Sequence, residues 1–415
     1  MANTLKLGNG KWATGKDTVM SFSDTNNNFK PLPFDFSRAS SATVVNQSGL
    51  IETVQSGTPR IDFLGNTKGA LLLEPTRINR ITQSEAFDNS YWTKTGSSVV
   101  GGFSSPSADS PLGAFKLVED TSTAPHRIIS SIATTLAGVN SISIYIKKGE
   151  LKNIGLKESQ ETGKYASFDL VNLTVLDKSS GVEANINSQI NGWIKLSMQV
   201  AITSTLIRFS THLLPNSYTS GDPNSSYTGD GTSGLYIFGA QLEAGSYATS
   251  YIPTSGQSGG VTRVAETSSQ TTPDGVIGQT EGTMFIDFKK EHNALETWSI
   301  NDGSSSNRVY MGFNNSNFIS QVRSSNGAAQ ASFTTGLNNN TRYKCALAYK
   351  LNDFVLYING VQIGTDNSGV VPLNMSKLSA YASTSSDAPF FSPTNDVKLY
   401  NTRLSNAELQ ALTTI

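Results

Sequence analysis

Apolar and polar residues alternate with a period of two through the middle of the chain. Three isoleucines occupy every second position from 142 to 146, and four apolar residues do the same from 194 to 200. Such alternation places one set of side chains on the buried face of a sheet. Gly, Ser and Asn separate these runs, and no helical period of similar length interrupts them. We therefore predict a two-sheet sandwich or jelly roll over residues 81–254.

The last third of the chain carries a second set of strand signals and one helix signal. Asn359-Gly360 lies between alternating apolar residues, which predicts a β-hairpin closed by a type I′ turn. Ser405 and Glu408 have the spacing of a capping box, so one short helix should follow Ser405. A single short helix leaves the class unchanged, and we predict a second β-sandwich over residues 276–415.

The segments outside these two sandwiches have a different composition. Residues 1–80 hold short apolar runs separated by turn residues, too few for an independent core, so we predict an extended docking module. Residues 255–275 are rich in Gly, Ser and Thr and predict a linker. The predicted fold class is all-β, with two β-sandwich or jelly-roll domains after an extended N-terminal docking module. On this division, a fragment of residues 276–415 should fold by itself.

Composition and charge narrow the classes of partner. Only 15% of the 415 residues are charged and the formal net charge is -1, so nothing draws the whole chain to nucleic acid or to an anionic membrane. A single cysteine, Cys345, excludes an internal disulfide. No apolar run approaches the ~18 residues of a membrane span, and the start lacks the pattern of a secretory signal. We expect assembly in a cytoplasm, without membrane insertion and without a nucleic-acid partner.

Candidate catalytic groups are few. The three histidines have no spacing typical of a nucleophile or a metal site. A glycosidase needs two carboxylates that converge, and the pairs available in sequence are Glu158 with Glu161 and Asp222 with Asp230. Solvated loop charge explains both pairs more simply. We therefore predict no catalytic residue.

The loop from Asp222 to Asp230 is rich in oxygen atoms that calcium could use as ligands. Asp, Asn and Gly also form turns without any metal. We expect no cofactor and no metal, and a calcium ion in this loop is the alternative that stays open.

Sugar binding needs aromatic faces beside hydrogen-bonding side chains. Two tyrosines flank Asp222 and Asn224 in a polar loop, where no core requires them. Trp193 lies opposite the apolar face of its strand, so it either forms an exposed platform or packs as core. The predicted glycan-binding candidates are Tyr218, Tyr227, Asp222, Asn224 and Trp193.

Three parts of the chain resemble modules of known proteins. Four N-terminal stretches are similar to a module of tailed-bacteriophage head-fibre and tail-fibre proteins: Phe36-Ser-Arg-Ala-Ser-Ser-Ala-Thr43, Gly49-Leu-Ile-Glu52, Thr58-Pro-Arg-Ile-Asp62 and Ala70-Leu-Leu-Leu-Glu-Pro-Thr-Arg77. Tyr91-Trp-Thr-Lys94 and Gln241-Leu-Glu-Ala-Gly-Ser246 resemble the carbohydrate-binding-module-like jelly roll that follows it. The last domain resembles concanavalin A-like (laminin-G-like) sandwiches through Leu356-Tyr-Ile-Asn-Gly-Val361 and Val397-Lys-Leu-Tyr400.

The resemblance implies a phage virion protein that is displayed as a fibre or appendage and binds host-surface or environmental glycans. It implies other virion proteins as partners, and symmetry favours a homo-oligomer, for which we expect a trimer. The expected location is the virion, after assembly in the host cytoplasm, and the expected activity is non-enzymatic. Two alternatives stay open: a purely structural capsid-decorating or connecting protein without a ligand, and a capsule depolymerase.

Overall fold

Strands make up nearly all of the regular structure in the computed structural model. It describes residues 4–25, 28–130, 137–160, 162–188, 190–203, 207–272, 275–324, 327–383 and 388–415. The first strands, in chain order, are β1 (Thr4–Gly8), β2 (Ala13–Gly15), β3 (Thr18–Thr25), β4 (Asn28–Ser37), β5 (Ala42–Val45), β6 (Ile51–Val54), β7 (Arg60–Asp62), β8 (Ala70–Leu72) and β9 (Arg77–Asn79).

The middle of the chain supplies fifteen more strands and one 3₁₀ turn, Ile190–Gly192. These strands are β10 (Trp92–Thr95), β11 (Ser97–Phe103), β12 (Ala114–Glu119), β13 (Thr123–Ala124), β14 (Arg127–Ser130), β15 (Gly138–Lys147), β16 (Asn153–Glu158), β17 (Tyr165–Asp169), β18 (Thr174–Lys178), β19 (Glu183–Ser188), β20 (Trp193–Ile202), β21 (Phe209–Leu214), β22 (Tyr227–Thr228), β23 (Gly234–Ala244) and β24 (Val261–Arg263).

The C-terminal part adds the last strands and one helix, α1 (Asn406–Thr413). These strands are β25 (Thr267–Thr271), β26 (Glu281–Lys290), β27 (Glu296–Asn301), β28 (Arg308–Asn314), β29 (Asn317–Ser324), β30 (Ala328–Gly336), β31 (Thr341–Lys350), β32 (Asp353–Ile358), β33 (Val361–Asp366), β34 (Lys377–Ser379) and β35 (Thr394–Tyr400). The predicted all-β class of sandwich or jelly-roll domains is confirmed.

The chain divides into two units, and the division differs from the one that the sequence predicts. Unit 1 comprises Met1–Ser41, Val54–Pro75 and Val264–Ile415, and unit 2 comprises Ala42–Thr53 and Thr76–Arg263. The predicted N-terminal module is therefore shared between the units. The predicted linker contains β24 and β25, which pair with other strands of their own units. The backbone passes from one unit to the other after residues 41, 53, 75 and 263, four times in all.

Fourteen strands of unit 1 pair in one antiparallel ladder, in the order β33-β32-β31-β26-β35-β1-β3-β4-β25-β34-β27-β28-β29-β30. In addition, β2 pairs with β3, and β8 pairs with β35 and β7. The N-terminal strands lie in the middle of the ladder, where β1 pairs with β35 and β4 pairs with β25. Their apolar side chains are buried in the same core as the C-terminal strands, for example Leu5, Phe34 and Trp298. The N-terminal residues bury their few apolar groups by completing this sandwich, which explains why they need no core of their own.

Two local predictions in unit 1 are confirmed. Asn359 and Gly360 both have positive φ, 49° and 79°, as the type I′ turn between β32 and β33 requires. Ser405 caps α1, and its side chain and that of Glu408 form both hydrogen bonds of the capping box. The helix buries Leu409 against the outer face of the sheet, so it closes the sandwich on that side.

A buried network of four charged residues ties together three segments of unit 1. Glu266 lies at its centre and accepts from Arg38 Nη1 at 2.6 Å, from Arg60 Nε at 2.8 Å and from the Glu74 backbone N–H at 2.9 Å. Arg60 also bonds Glu266 through Nη2 and pairs with Glu74 Oε2 at 2.8 Å. Burial alone would lower the pKa of Arg60, but Glu266 and Glu74 raise it above its ordinary value.

Unit 2 is a sandwich of two six-stranded antiparallel sheets. The first sheet has the order β10-β14-β21-β16-β17-β18, and the second sheet has the order β11-β12-β23-β15-β20-β19. The alternating residues of β15 and β20 pack between the sheets, with Ile144 and Leu196 fully buried. Each sheet therefore has an outer face that carries the other set of side chains.

Candidate functional site

A polar loop, residues 215–226, crosses the outer face of the first sheet of unit 2. It leaves β21 and is held by hydrogen bonds to side chains of four strands. Gly221 N–H donates to Asp177 Oδ2 at 2.8 Å, and Tyr218 Oη lies 3.3 Å from Ser167 Oγ. Lys157 Nζ donates to Asp222 Oδ2 at 2.5 Å, and Arg127 Nη1 donates to Asn224 Oδ1 at 2.6 Å.

The loop packs so closely on the backbone of β16 that this strand has a glycine, Gly155, at the point of contact. A β-carbon added to Gly155 of β16 would lie 2.3 Å from Cβ of Pro223, far inside contact distance. Pro223 itself is buried. The loop therefore packs directly on the strand, and only a residue without a side chain fits beneath it.

Two tyrosines and two carboxylates meet where the loop crosses β17 and β18. Tyr165 donates to Asp177 Oδ2 at 3.1 Å, and the same oxygen accepts from the backbone N–H of Gly221, which lies between Tyr218 and Asp222 in the loop. Both tyrosines are half-buried, so each keeps part of its ring at the surface. We call Tyr165, Asp177, Tyr218, Asp222 and Lys157 the tyrosine cluster. It brings one ammonium, two carboxylates and two phenols together on one sheet face.

The protonation states in the tyrosine cluster follow from its contacts. Partial burial and the Asp177 carboxylate raise the pKa of Tyr165 to about 12. The backbone N–H of Gly221 lowers the pKa of Asp177 below its ordinary value. Partial burial opposes ionisation of Asp222, but the Lys157 ammonium outweighs it and lowers the pKa of that carboxyl. At neutral pH the cluster presents neutral phenols and ionised carboxylates.

Three of the five predicted glycan-binding candidates lie in or beside the tyrosine cluster: Tyr218, Asp222 and Asn224. Tyr227 is held by a different group, since its hydroxyl donates to Glu119 Oε2 at 2.5 Å and its ring lies 4.4 Å from the His126 ring. Tyr227 and Tyr218 therefore anchor opposite ends of the loop rather than forming one surface.

For Trp193, the sequence left an exposed platform or core packing open, and its place among the glycan-binding candidates is corrected by the structure, which buries it. It lies on the outer face of the second sheet, as the alternation predicts, but only 1% of it is exposed. The reason is that residues 249–252 lie over this face: Lys195 Nζ bonds the Thr249 carbonyl, and the Phe238 ring lies 5.6 Å from Tyr251 and 6.4 Å from Trp193. Trp193 therefore offers no ring face to a glycan.

Sequence reasoning missed Tyr165, Asp177 and Lys157. Lys157 of β16 lies directly opposite Tyr165 of β17, and Ser167 of β17 lies directly opposite Asp177 of β18. Polar residues on alternate positions of β17 are the signal that could have shown this face to be polar. Nothing local in the sequence indicates that the loop returns to it.

The described carboxylates considered for hydrolysis are each held by hydrogen bonds of their own. Glu158 is fully buried and accepts from the backbone N–H groups of Gln160 and Thr162, both at 2.6 Å, while Glu161 lies outside the described residues. Asp230 accepts hydrogen bonds from Thr232 and Ser233 of its own turn. Each acid therefore serves its own loop, and Asp177 is the carboxylate that accompanies Asp222 instead.

The buried histidine of this sheet has an unusual pKa. His212 lies fully buried beneath the loop, with Nε2 2.8 Å from Ser210 Oγ. Burial lowers the pKa of His212 to about 3, and the charges of Arg127 and Lys157 act in the same direction. It is therefore a neutral side chain at neutral pH.

Over the described ranges, no group of three or more His, Cys, Asp or Glu side chains is arranged to hold a metal ion. In that same part of the chain no helix has the length and apolar character needed to cross a membrane.

Comparisons with known proteins give only distant structural similarity. No protein family and no curated protein matches the chain. Among solved structures, it is similar to the CBM40 of Ruminococcus gnavus IT-sialidase bound to alpha2,3 sialyllactose, with 18% identity over 33% of this chain and 84% of that chain and a TM-score of 0.29. It is also similar to mouse laminin alpha1 domains LG4-5, with 10% identity over 79% of this chain and 89% of that chain and a TM-score of 0.25. At these scores, the assignment of fold class rests on the strands of the chain itself.

Proposed function

We propose that this chain is a phage virion protein, displayed as a fibre or appendage, that binds host-surface or environmental glycans through unit 2. The observation that carries the glycan part is the tyrosine cluster. Two half-buried rings stand beside ionised Asp177 and Asp222 and the Lys157 ammonium. Ring faces suit the apolar C–H surfaces of sugars, and carboxylates accept hydrogen bonds from their hydroxyls.

The anchoring of the loop supports a binding role. Four strands hold the loop before any ligand arrives, through Arg127, Lys157, Ser167 and Asp177. A site that is already ordered loses little conformational entropy on binding, which matters for a weak ligand such as a sugar. The charges of the cluster and of Arg127 balance, so the cluster suits glycans without net charge.

The virion part of the proposal is supported by the resemblance of the N-terminal stretches to phage fibre modules. Other virion proteins are then its partners, a homo-oligomeric trimer is its form, and the host cytoplasm is where it assembles. A single sugar site with a Kd near 1 mM contributes only about 4 kcal/mol, whereas linked sites raise avidity by roughly 10² to 10⁴. Display in several copies would make such a weak site useful.

We propose no catalytic activity for this chain. The carboxylates Glu158 and Asp230 are occupied by hydrogen bonds from their own loops, which supports this reading over a depolymerase. The purely structural alternative keeps the fold and assigns the loop an anchoring role only.

Binding of the full chain to purified surface polysaccharide of the host tests the proposal, with released reducing ends measured in the same samples. Tyr165→Ala should weaken binding about tenfold or more, because it removes a ring from a largely desolvated contact. Tyr165→Phe should keep most of the affinity, since it keeps the ring and loses only the bond to Asp177. Val171→Ala is a matched control at a position that is 56% exposed on the β17–β18 turn.

Each outcome of that experiment decides between the readings. Binding that Tyr165→Ala weakens and Val171→Ala leaves unchanged supports the proposal. Absence of binding by the correctly assembled protein supports the purely structural alternative. Release of reducing ends supports the depolymerase and overturns the non-enzymatic assignment.

A further inference from the structure

A row of side chains on the second sheet of unit 2 combines an aromatic ring with two ammonium groups. The register places Lys116 of β12 directly opposite Tyr236 of β23, and Tyr236 directly opposite Lys147 of β15. Val100 of the edge strand β11 is the next partner and is 52% exposed. Direct cross-strand partners share a face, so these four side chains lie together on the outer face of the sheet.

A second aromatic ring extends this row. Phe103 packs against Tyr236 edge to face, with ring centroids 5.0 Å apart, and both residues are half-buried. The next aromatic residue on the same face, Phe238, is fully buried in contact with Tyr251 of the covering segment. In the row of Tyr236 itself, Trp193 opposite Lys147 is also buried, whereas Lys147 and Tyr236 stay half-buried, so the cover ends within this row. We call Val100, Phe103, Lys116, Lys147 and Tyr236 the Tyr236 platform.

The charge of the Tyr236 platform differs from that of the tyrosine cluster. Lys116 pairs with Glu150 at 2.8 Å, so its charge is matched within the protein. Lys147 forms no ion pair with any residue that the structure describes, and its charge is left over. The platform is therefore positive, whereas the cluster around Tyr165 is balanced by Asp177 and Asp222.

We propose that the Tyr236 platform is a second binding site, for an acidic oligosaccharide. Its two rings offer apolar surface to sugar rings, and Lys147 offers an unmatched ammonium to a sugar carboxylate. Strands β12 and β15 lie about 10 Å apart across β23, so a ligand that reaches both lysines must cross the Tyr236 ring. This site lies on the opposite sheet of unit 2 from the tyrosine cluster and does not depend on it.

The test compares oligogalacturonate with its fully methyl-esterified form, using the full chain and titration calorimetry. The two probes share a backbone, and the ester carries a neutral methyl ester at each position where the acid carries a carboxylate. Oligogalacturonate should bind at least about fivefold more tightly, and added salt should reduce that difference. Tyr236→Ala should weaken binding of oligogalacturonate about tenfold. Lys147→Gln should remove most of the preference for the acid, and Lys147→Arg should restore it.

Matched variants keep the two sites distinguishable. Tyr165→Ala should leave oligogalacturonate binding unchanged, because Tyr165 lies on the other sheet. Equal affinity for the two probes, no binding of either, or wild-type affinity in both Tyr236→Ala and Lys147→Gln would each overturn the Tyr236 platform. Loss of oligogalacturonate binding in Tyr165→Ala would also overturn it, by placing the acidic ligand at the tyrosine cluster.

Discussion

The buried charge network predicts a large loss of stability when Glu266 is changed to Gln. Glu266 is fully buried and receives donors from Arg38, Arg60 and the Glu74 backbone. The amide of Gln keeps the shape but loses the negative charge, and its NH₂ group would face an arginine donor. The two buried guanidinium groups then keep one carboxylate of the network, that of Glu74, which pairs with Arg60.

The magnitude follows from the burial of all partners. Removing one partner from a buried ion pair costs about 3–5 kcal/mol, because the remaining charge stays desolvated. For a unit of roughly 200 residues, each kcal/mol lowers the melting temperature by about 2–4 °C, so the expected loss for Glu266→Gln is about 6–20 °C. Glu291→Gln is the matched control, since Glu291 makes an exposed pair with Lys289 at 2.9 Å. Such a pair contributes about 0–1 kcal/mol.

The assay must separate the two units, because a melt of the whole chain combines both. Hydrogen exchange with mass spectrometry does so: peptides from β26 and β31 report on unit 1, and peptides from β15 and β20 report on unit 2. Glu266→Gln should reduce protection in unit 1 and leave unit 2 near wild type. If the unit 1 peptides of Glu266→Gln keep wild-type protection, the network does not stabilise the unit and this reasoning is refuted.

Two further predictions concern folding and pH. The fragment 276–415 should fail to melt cooperatively, because it lacks β1, β3 and β4 from the middle of the unit 1 ladder; a cooperative calorimetric transition of the isolated fragment would contradict the topology. In the folded state His212 stays neutral down to its pKa of about 3, whereas in the unfolded state it takes up a proton below about pH 6.5. The free energy of unfolding is therefore highest above about pH 6.5 and falls as the pH is lowered from there toward about 3. Between about pH 7 and pH 5.5, denaturant titration should show about 1 kcal/mol more loss in the wild type than in His212→Gln, and equal losses would exclude this role.

Local features of the fold were predictable because their signals are local. Alternation over 142–146 and 194–200 correctly predicted β15 and β20, and Asn359-Gly360 predicted its hairpin. The capping box at Ser405 was predictable for the same reason. Each pattern depends on neighbours within a few residues, which is the range over which propensity and turn chemistry act.

The division into units could not be predicted, because it depends on pairs far apart in sequence. Thr4 of β1 lies opposite Tyr400 of β35, and Arg38 reaches Glu266. No local composition records such partners, so residues 1–80 looked like a separate module and residues 255–275 looked like a linker. The apolar residues of β1 and β4 instead complete a sandwich that begins almost at the first residue and ends at the last strand.

The candidate site was predictable only in part, for a similar reason. The polar loop with Tyr218, Asp222 and Asn224 stood out by composition. Its partners Tyr165 and Asp177 did not, because the loop returns to their strands through tertiary packing. For Trp193, alternation correctly predicted the face of the sheet on which it lies. Its burial could not be predicted, because a segment some fifty residues later in the chain covers that face.

Competition for phage adsorption tests the central claim most directly. Host cells are incubated with the assembled protein, or with its Tyr165→Ala variant, before phage are added and attached particles are counted; reducing sugar is assayed in the same tubes. Wild-type protein should block attachment without releasing sugar, and Tyr165→Ala should block it far less. Unchanged attachment at saturating wild-type protein would contradict the account of a glycan-binding virion protein.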